Sequence, residues 1–258
     1  MSAAPDVPGR WALRFLGVGN AGAAPALGSA SALIERDGVP QLMIDCGEYA
    51  LDAWLARHAG PPPALFVTHL HMDHVGGLER LFTLTWFGGD ARPLLYVPAA
   101  LLPHMQARVA DYPGILAEGG VNFWEAFRLI PVSRGFWHGG LWYDVFPVRH
   151  HRPDTAFGLR LRGSVVWTGD TRPIPEMLAV QAEAGELIAH DCGLVGNPSH
   201  TGVDDLEREY PDTLRSRMVL YHYGSPEDAA AIAARGHRVA RPGEIYPLGP
   251  PQPVETQG

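Results

Sequence analysis

Short apolar runs separated by Gly and Pro recur along the chain, and most have the length of strands rather than helices. Ala12–Val18, Ser31–Arg36 and Gln41–Asp45 predict strands. Tyr49–His58 predicts a helix, because Leu51, Trp54 and Leu55 fall on one helical face. Ala64–Thr68 predicts a buried strand that stops in a histidine-rich turn, followed by a strand at Leu94–Val97 and a helix at Ala99–Ala110. Gly140–Val148, Ala156–Leu161, Ser164–Thr168, Leu187–His190 and Met218–Tyr221 predict further strands. Pro226–Arg235 predicts a helix, with proline placed where a first helical turn tolerates it. Strands dominate both halves and helices lie between them. The expected class is α/β, an αββα sandwich with two facing mixed β-sheets and helices outside. Residues 1–10 are expected to be a tail, 11–249 a single domain and 250–258 a proline-rich irregular tail.

Composition narrows the function classes. The 258 residues suit one large domain or two small ones, and no repeat or charged linker divides them. The apolar share of 46% suits a sizeable core. A net charge of -8 gives no general attraction for nucleic acid. Every basic residue is arginine, which excludes a catalytic lysine or a Schiff base. Two cysteines, Cys46 and Cys192, are too few for a disulfide scaffold and fit a reduced, cytoplasmic setting. Met1 to Trp11 lacks a basic segment followed by an apolar run, so no secretory signal is expected. No apolar stretch approaches the roughly 20 residues of a membrane span.

The strongest chemical feature is Thr68-His69-Leu70-His71-Met72-Asp73-His74. His69, His71, Asp73 and His74 are too close together to share a helix face, where neighbours lie three or four apart. In a tight turn after a strand they can fan out around two neighbouring metal ions. Imidazole and carboxylate donors suit zinc, with manganese or iron as substitutes.

His69-x-His71-x-Asp73-His74 resembles the H-x-H-x-D-H signature of metallo-β-lactamase-fold hydrolases. The resemblance extends over almost the whole chain. Phe15-Leu-Gly-Val-Gly19 and Leu42-Met-Ile-Asp-Cys-Gly-Glu48 are similar to the opening of the ribonuclease Z branch. Thr168-Gly-Asp-Thr171 and Val219-Leu-Tyr-His222 resemble its later motifs. The resemblance implies two divalent ions, Zn2+ with Mn2+ or Fe2+ as alternatives. It places His69, His71 and a histidine of Val148-Arg-His-His151 on the first ion, and Asp73, His74 and His222 on the second. Asp170 would bridge them. His150 is the preferred third histidine, with His151 left open as ligand or substrate contact.

The implied chemistry is hydrolysis by a metal-bridging hydroxide, with Asp73 accepting a proton from the attacking water. Asp191 and His200 resemble the branch's acid–histidine pair, so His200 reads as a general acid or phosphate contact oriented by Asp191, or else as an ordinary loop histidine. Cys46 and Cys192 read as packing residues, His190 as support or packing, and His58, His104, His138 and His237 as surface or satisfied histidines. Gly17-Val-Gly19 lacks the third glycine of a dinucleotide fingerprint and reads as a loop near the metals. Trp86, Phe87, Phe123, Trp124, Phe127, Phe136, Trp137 and Trp142 read chiefly as core, with a dimer surface or base-stacking wall as the functional alternatives.

The interval between His150 and Asp170 has no room for the tRNA-gripping arm of ribonuclease Z. The armless relatives hydrolyse small phosphodiesters, including the cyclic nucleotides of phage-defence signalling. The leading expectation is therefore a phosphodiesterase for small, cyclic-nucleotide-like substrates, in a homodimer that does not engage a membrane. A lactonase or thioesterase of the same fold is the first alternative, and a catalytically inactive metal-bearing binding protein the second.

Overall fold

A computed structural model describes residues 9–89, 91–111 and 121–253. Thirteen strands among them form two sheets. The strands are β1 (Trp11–Gly17), β2 (Ser31–Arg36), β3 (Val39–Ile44), β4 (Ala64–Phe66), β5 (Leu94–Pro98), β6 (Arg128–Val132) and β7 (Gly135–His138). They continue with β8 (Leu141–Pro147), β9 (Phe157–Leu161), β10 (Val165–Trp167), β11 (Leu187–Asp191), β12 (Met218–Tyr221) and β13 (Ile245–Leu248). The first sheet runs β13-β1-β2-β3-β4-β5-β6 and the second β12-β11-β10-β9-β8-β7. Both are mixed: β13 to β3 are antiparallel and β3 to β6 parallel, while β7 to β10 are antiparallel and β10 to β12 parallel. The αββα expectation is met.

The inner faces close over aromatic side chains. Phe15 of β1 packs against Trp167 of β10 and Tyr221 of β12, with ring centroids 5.6 and 6.0 Å apart. Phe66 of β4 and Tyr96 of β5 meet Phe136 of β7 at 5.8 and 3.9 Å. Such rings bury large apolar areas and favour tilted or offset contacts. The aromatic segment is thus mainly core: Phe123, Phe127 and Phe136 are buried, whereas Phe87 (74%) and Trp137 (47%) stay exposed.

Several predicted boundaries move. The helix expected over Ala99–Ala110 is a composite of a 3-10 turn at Ala99–Leu101, an α-turn at Leu102–Met105 and a π-turn at Gln106–Ala110. The described part of the C-terminal tail is irregular but not detached: Pro251 is buried, and Gln252 donates its N–H to the Arg162 carbonyl at 2.8 Å. No helix among the described residues is long and apolar enough to cross a membrane.

The topology sets up one end of the sandwich for chemistry. β3, β4, β10, β11 and β12 run parallel to neighbours, and their C-terminal ends open onto Asp45, His69, Asp170, Asp191 and His222. Crevices beyond the carboxyl ends of such strands are where open α/β sheets receive ligands. A bridge between His69 and Ala156 ties the two sheets together there, with Phe157 donating to the Thr68 carbonyl at 3.0 Å.

Candidate metal centre

β4 ends at Phe66, and the next residues deliver His69 and His71 before a single helical turn, Met72–Val75, carries Asp73 and His74. That turn fits because residue 47 is glycine. A Cβ there would lie 1.9 Å from the Asp73 carbonyl oxygen. Gly169 in Thr168-Gly-Asp-Thr171 adopts a φ of +64°, a left-handed conformation that costs glycine little. It leaves Asp170 aimed inward, 1% exposed.

The structure brings together every side chain proposed as a ligand. His69 Nε2 and His150 Nε2 lie 3.2 and 3.1 Å from His71 Nδ1. A tetrahedral ion with metal–nitrogen bonds of about 2.0–2.1 Å holds its ligands about 3.3–3.4 Å apart, so this triangle has the size such an ion needs. Asp170 Oδ2 is the hub, 3.5 Å from His69, 3.3 Å from His74, 3.2 Å from His222 and 4.0 Å from His150, each through Nε2. Asp73 Oδ2 stands 3.5 Å from His74 Nε2 and 3.7 Å from His222 Nε2. Two donor groups thus share Asp170 as a common edge: His69, His71 and His150 on one side, Asp73, His74 and His222 on the other. Of residues 150 and 151, it is His150 whose side chain lies in this cluster. His151 is exposed, at a φ of +54°, and approaches Ser199 Oγ at 3.2 Å through Nδ1.

Buried polar atoms without a hydrogen-bond partner are rare in folded proteins and call for an explanation. Here they include His74 Nε2, His222 Nε2 and Asp170 Oδ1. All three belong to the cluster, and unpaired nitrogen and oxygen donors converging in a buried site fit divalent ions of the zinc type.

Electrostatics divide the histidines. Burial pushes His69, His71 and His150 down, His150 to about 4, which leaves them neutral as ligands must be. Burial also acts to lower His74 and His222. There it is outweighed, by Asp170 and Asp45 for His74 and by Asp170 and Asp191 for His222, which is held up at about 10. The cationic neighbours His222 and His74 keep Asp170 well below the usual carboxylate range, despite the burial that opposes it.

A second layer holds these groups in place. Asp45, absent from the sequence-derived set, takes the backbone N–H of Thr68 on Oδ1 and the Thr68 hydroxyl on Oδ2, both at 2.7 Å. Its Oδ2 also receives His74 Nδ1–H at 2.8 Å, which turns His74 Nε2 toward the cluster. The available signal was the Ile44-Asp-Cys-Gly47 run, recognised as a motif but given no role. Asp45 and His222 both adopt a left-handed backbone, φ +60° and +72°, the kind of strain that accumulates at functional sites. His222 is anchored by its N–H to the Val18 carbonyl at 2.7 Å, which places the Gly17-Val-Gly19 loop beside the centre.

Asp191 is fully buried, receives Thr171 N–H at 2.8 Å, and bonds His200 Nδ1 at 2.9 Å. Its other oxygen lies 3.3 Å from His222 Nδ1. Among the described residues His200 Nε2 has no hydrogen-bond partner, and His200 lines a cavity of about 770 Å³ with Asp73, Asp170 and His222. His190 points away from the cluster: Nδ1 donates to the Asp191 carbonyl at 2.6 Å, and Nε2 accepts from the Tyr210 hydroxyl at 2.8 Å.

Cys46 and Cys192 are buried, and burial pushes both thiols up, so neither is a ready nucleophile. His58 stacks on Trp54 at 4.0 Å, His138 bonds the Gln41 carbonyl at 2.9 Å, and His237 pairs with Glu207 at 2.9 Å. His104 is exposed, as a surface histidine would be, and lines a second cavity beside His69, His71 and His150.

Known proteins of the same build bear on this arrangement. A protein from Saccharibacillus brassicae named Anti-Pycsar protein Apyc1 is 30% identical over 245 residues, covering 92% of this chain and 99% of that one. A ribonuclease Z from Mycobacterium sp. (strain KMS) is 28% identical over 219 residues, covering 78% of this chain and 72% of its own. The crystal structure of YhfI from Bacillus subtilis, a metallo-beta-lactamase fold protein, superposes with a TM-score of 0.71 at 15% identity, covering 93% of this chain and all (100%) of that one. The sequence profile of the Anti-Pycsar protein Apyc1 family matches residues 11–246. The two facing sheets, the clustered histidines and aspartates and these likenesses agree: the chain belongs to the Anti-Pycsar protein Apyc1 family, within the metal-dependent hydrolases of metallo-β-lactamase fold.

Proposed function

We propose that the chain is a phosphodiesterase for small substrates, cyclic nucleotides among them. His69, His71 and His150 would hold one divalent ion, Asp73, His74 and His222 the other, and Asp170 would serve both. Such a pair, when bound, supplies Lewis acidity and a hydroxide nucleophile near neutral pH. Asp73, at the rim of the second donor group, is placed to take the proton of the attacking water.

The observation that carries the choice of phosphorus is the buried Asp191 behind His200. A sugar alkoxide is a poor leaving group and needs a proton as the P–O bond breaks. Asp191 fixes the His200 tautomer and leaves Nε2 free at the cavity that holds the cluster. The ribonuclease Z relative, named for cleaving RNA, favours phosphodiesters over lactones and thioesters. The chain from His150 to Asp170 is a turn followed by β9 and β10, without an arm for tRNA, which favours small substrates. A cytoplasmic homodimer completes the reading, its oligomeric state measurable by light scattering.

The test is hydrolysis of bis(p-nitrophenyl) phosphate and a panel of cyclic nucleotides, with an acyl homoserine lactone alongside. Turnover of the phosphodiesters that chelation removes and zinc or manganese restores is the expected result. In the same assay His200→Ala should lose about 100-fold or more on cyclic nucleotides and far less on the nitrophenyl ester, whose leaving group needs no proton. Lactone turnover alone would reject the phosphodiesterase.

A further inference from the structure

Two cavities flank the candidate centre, and they differ in charge. The first carries the carboxylates Glu48, Asp73 and Asp170 together with His200. The second, of about 1030 Å³, is lined by His69, His71 and His150 together with His104, Arg108 and Arg152. No Asp or Glu lines it among the described residues. Arg108 belongs to both cavities and stands where they meet. Neither Arg108 nor Arg152 makes an ion pair among the described residues, whereas Arg14, Arg149, Arg160, Arg162, Arg208 and Arg235 each do. In a chain of net charge -8, a carboxylate-free cavity with two unpaired guanidinium groups is a local reversal of the field.

We propose that this second cavity is an anion subsite, in which Arg108 and Arg152 grip a phosphate monoester carried by the substrate while the scissile phosphodiester lies at the centre. Guanidinium is permanently charged, and its fork of N–H groups matches phosphate oxygens two at a time. The wall shared with His71 and His150 makes the cavity continuous with the centre, so one molecule can occupy both. The preferred substrate class is then a phosphodiester bearing a second phosphate, such as a cyclic phosphate of a phosphorylated nucleoside. That substrate class rests on the phosphodiesterase reading above. The anion subsite itself can be tested without turnover.

The experiment is calorimetric binding of adenosine 3′,5′-bisphosphate and adenosine 3′-monophosphate to the metal-loaded enzyme. It is run with wild type, Arg108→Ala and Arg152→Ala, with thermal melts to confirm that the variants fold. The bisphosphate should bind about ten-fold tighter to wild type or better, and the advantage should shrink as salt is raised. In each variant it should fall below about two-fold. Equal affinity in wild type, or an advantage that survives in both variants, overturns the subsite. A kinetic arm compares adenosine 2′,3′-cyclic phosphate with and without a 5′-phosphate. A binding advantage without hydrolysis of either compound keeps the subsite and rejects the phosphodiesterase. Hydrolysis of both with no gain from the 5′-phosphate, in KM or in binding, rejects the subsite and keeps the phosphodiesterase.

Discussion

At the scale of single residues, the centre depends on groups that touch no substrate. Asp45 holds His74 by its Nδ1–H, and groups behind a metal-binding histidine fix its tautomer and orientation. Asp45→Asn isolates the charge, because asparagine tolerates the left-handed backbone at this position about as well as aspartate does. The expected outcome is a 10- to 100-fold (roughly) weaker metal affinity with the fold retained, read by chelator competition and circular dichroism. An unchanged affinity would show that Thr68 and packing alone orient His74. His222 gives a pH prediction. Without metal it holds its proton up to about 10, through Asp170 and Asp191 against the effect of burial, so at neutral pH an incoming ion must displace that proton. His74, also pushed toward its charged form, adds a second proton, so affinity should rise with pH by about ten-fold per unit for each proton displaced. Titrations in buffers of different ionisation enthalpy count the protons released, and a count of zero at pH 7 contradicts the reading.

At the scale of elements, what the sequence made visible was what it encodes locally. β2 and β12 match their predicted bounds, since Ser31–Arg36 and Met218–Tyr221 are buried runs bounded by turns. β6 and β13 were not visible. Both are edge strands, only partly buried, and interrupted by Pro131 and Pro247, so neither presents an apolar run or clean alternation. The helix Leu78–Gly88 also went unread, though Leu78, Leu81, Phe82 and Thr85 do mark its buried face. The histidine motif could be read because its donors are neighbours in the chain. Asp45 could not be assigned, because its contact with His74 spans 29 residues. Neither could the buried ion pair of Arg160 on β9 with Glu186 before β11, whose shortest contact is 2.7 Å. Glu186 also takes the N–H groups of Gly163 and Glu183 at 2.7 and 2.9 Å, which fastens the β9–β10 turn to the start of β11. Glu186→Ala leaves Arg160 buried and those N–H groups unpaired, and should destabilise by about 3–5 kcal/mol in urea unfolding. A loss under about 1 kcal/mol would mean that Glu183, 2.9 Å from Arg160, replaces it.

At the scale of the whole molecule, the candidate centre joins the two sheets. His69, His71, Asp73 and His74 follow β4 of the first sheet, while His150, Asp170 and His222 follow β8, β10 and β12 of the second. An ion held by both groups is a cross-link that exists only in the folded state, since the unfolded chain scatters these donors. Binding to the native state alone stabilises by about 2.7 kcal/mol when the ligand is at 100 times its dissociation constant. A domain of this order of size shifts its melting point by about 2–4 °C per kcal/mol. Chelation should then lower the melting temperature by about 5–11 °C per tightly held ion, reversed by zinc or manganese. The metal-free protein need not open, because Asp170 lies 3.3 and 3.2 Å from His74 and His222, both pushed toward their charged forms. Protons there offset part of the missing positive charge. Asp170→Ala removes the group common to both donor sets, so in that variant the melting temperature should no longer respond to chelator. A wild-type melt indifferent to chelation would mean that these ion pairs close the centre as well as metals do. The sheets would then owe their junction to those pairs, the His69–Ala156 bridge and the aromatic packing around Phe15 and Phe136.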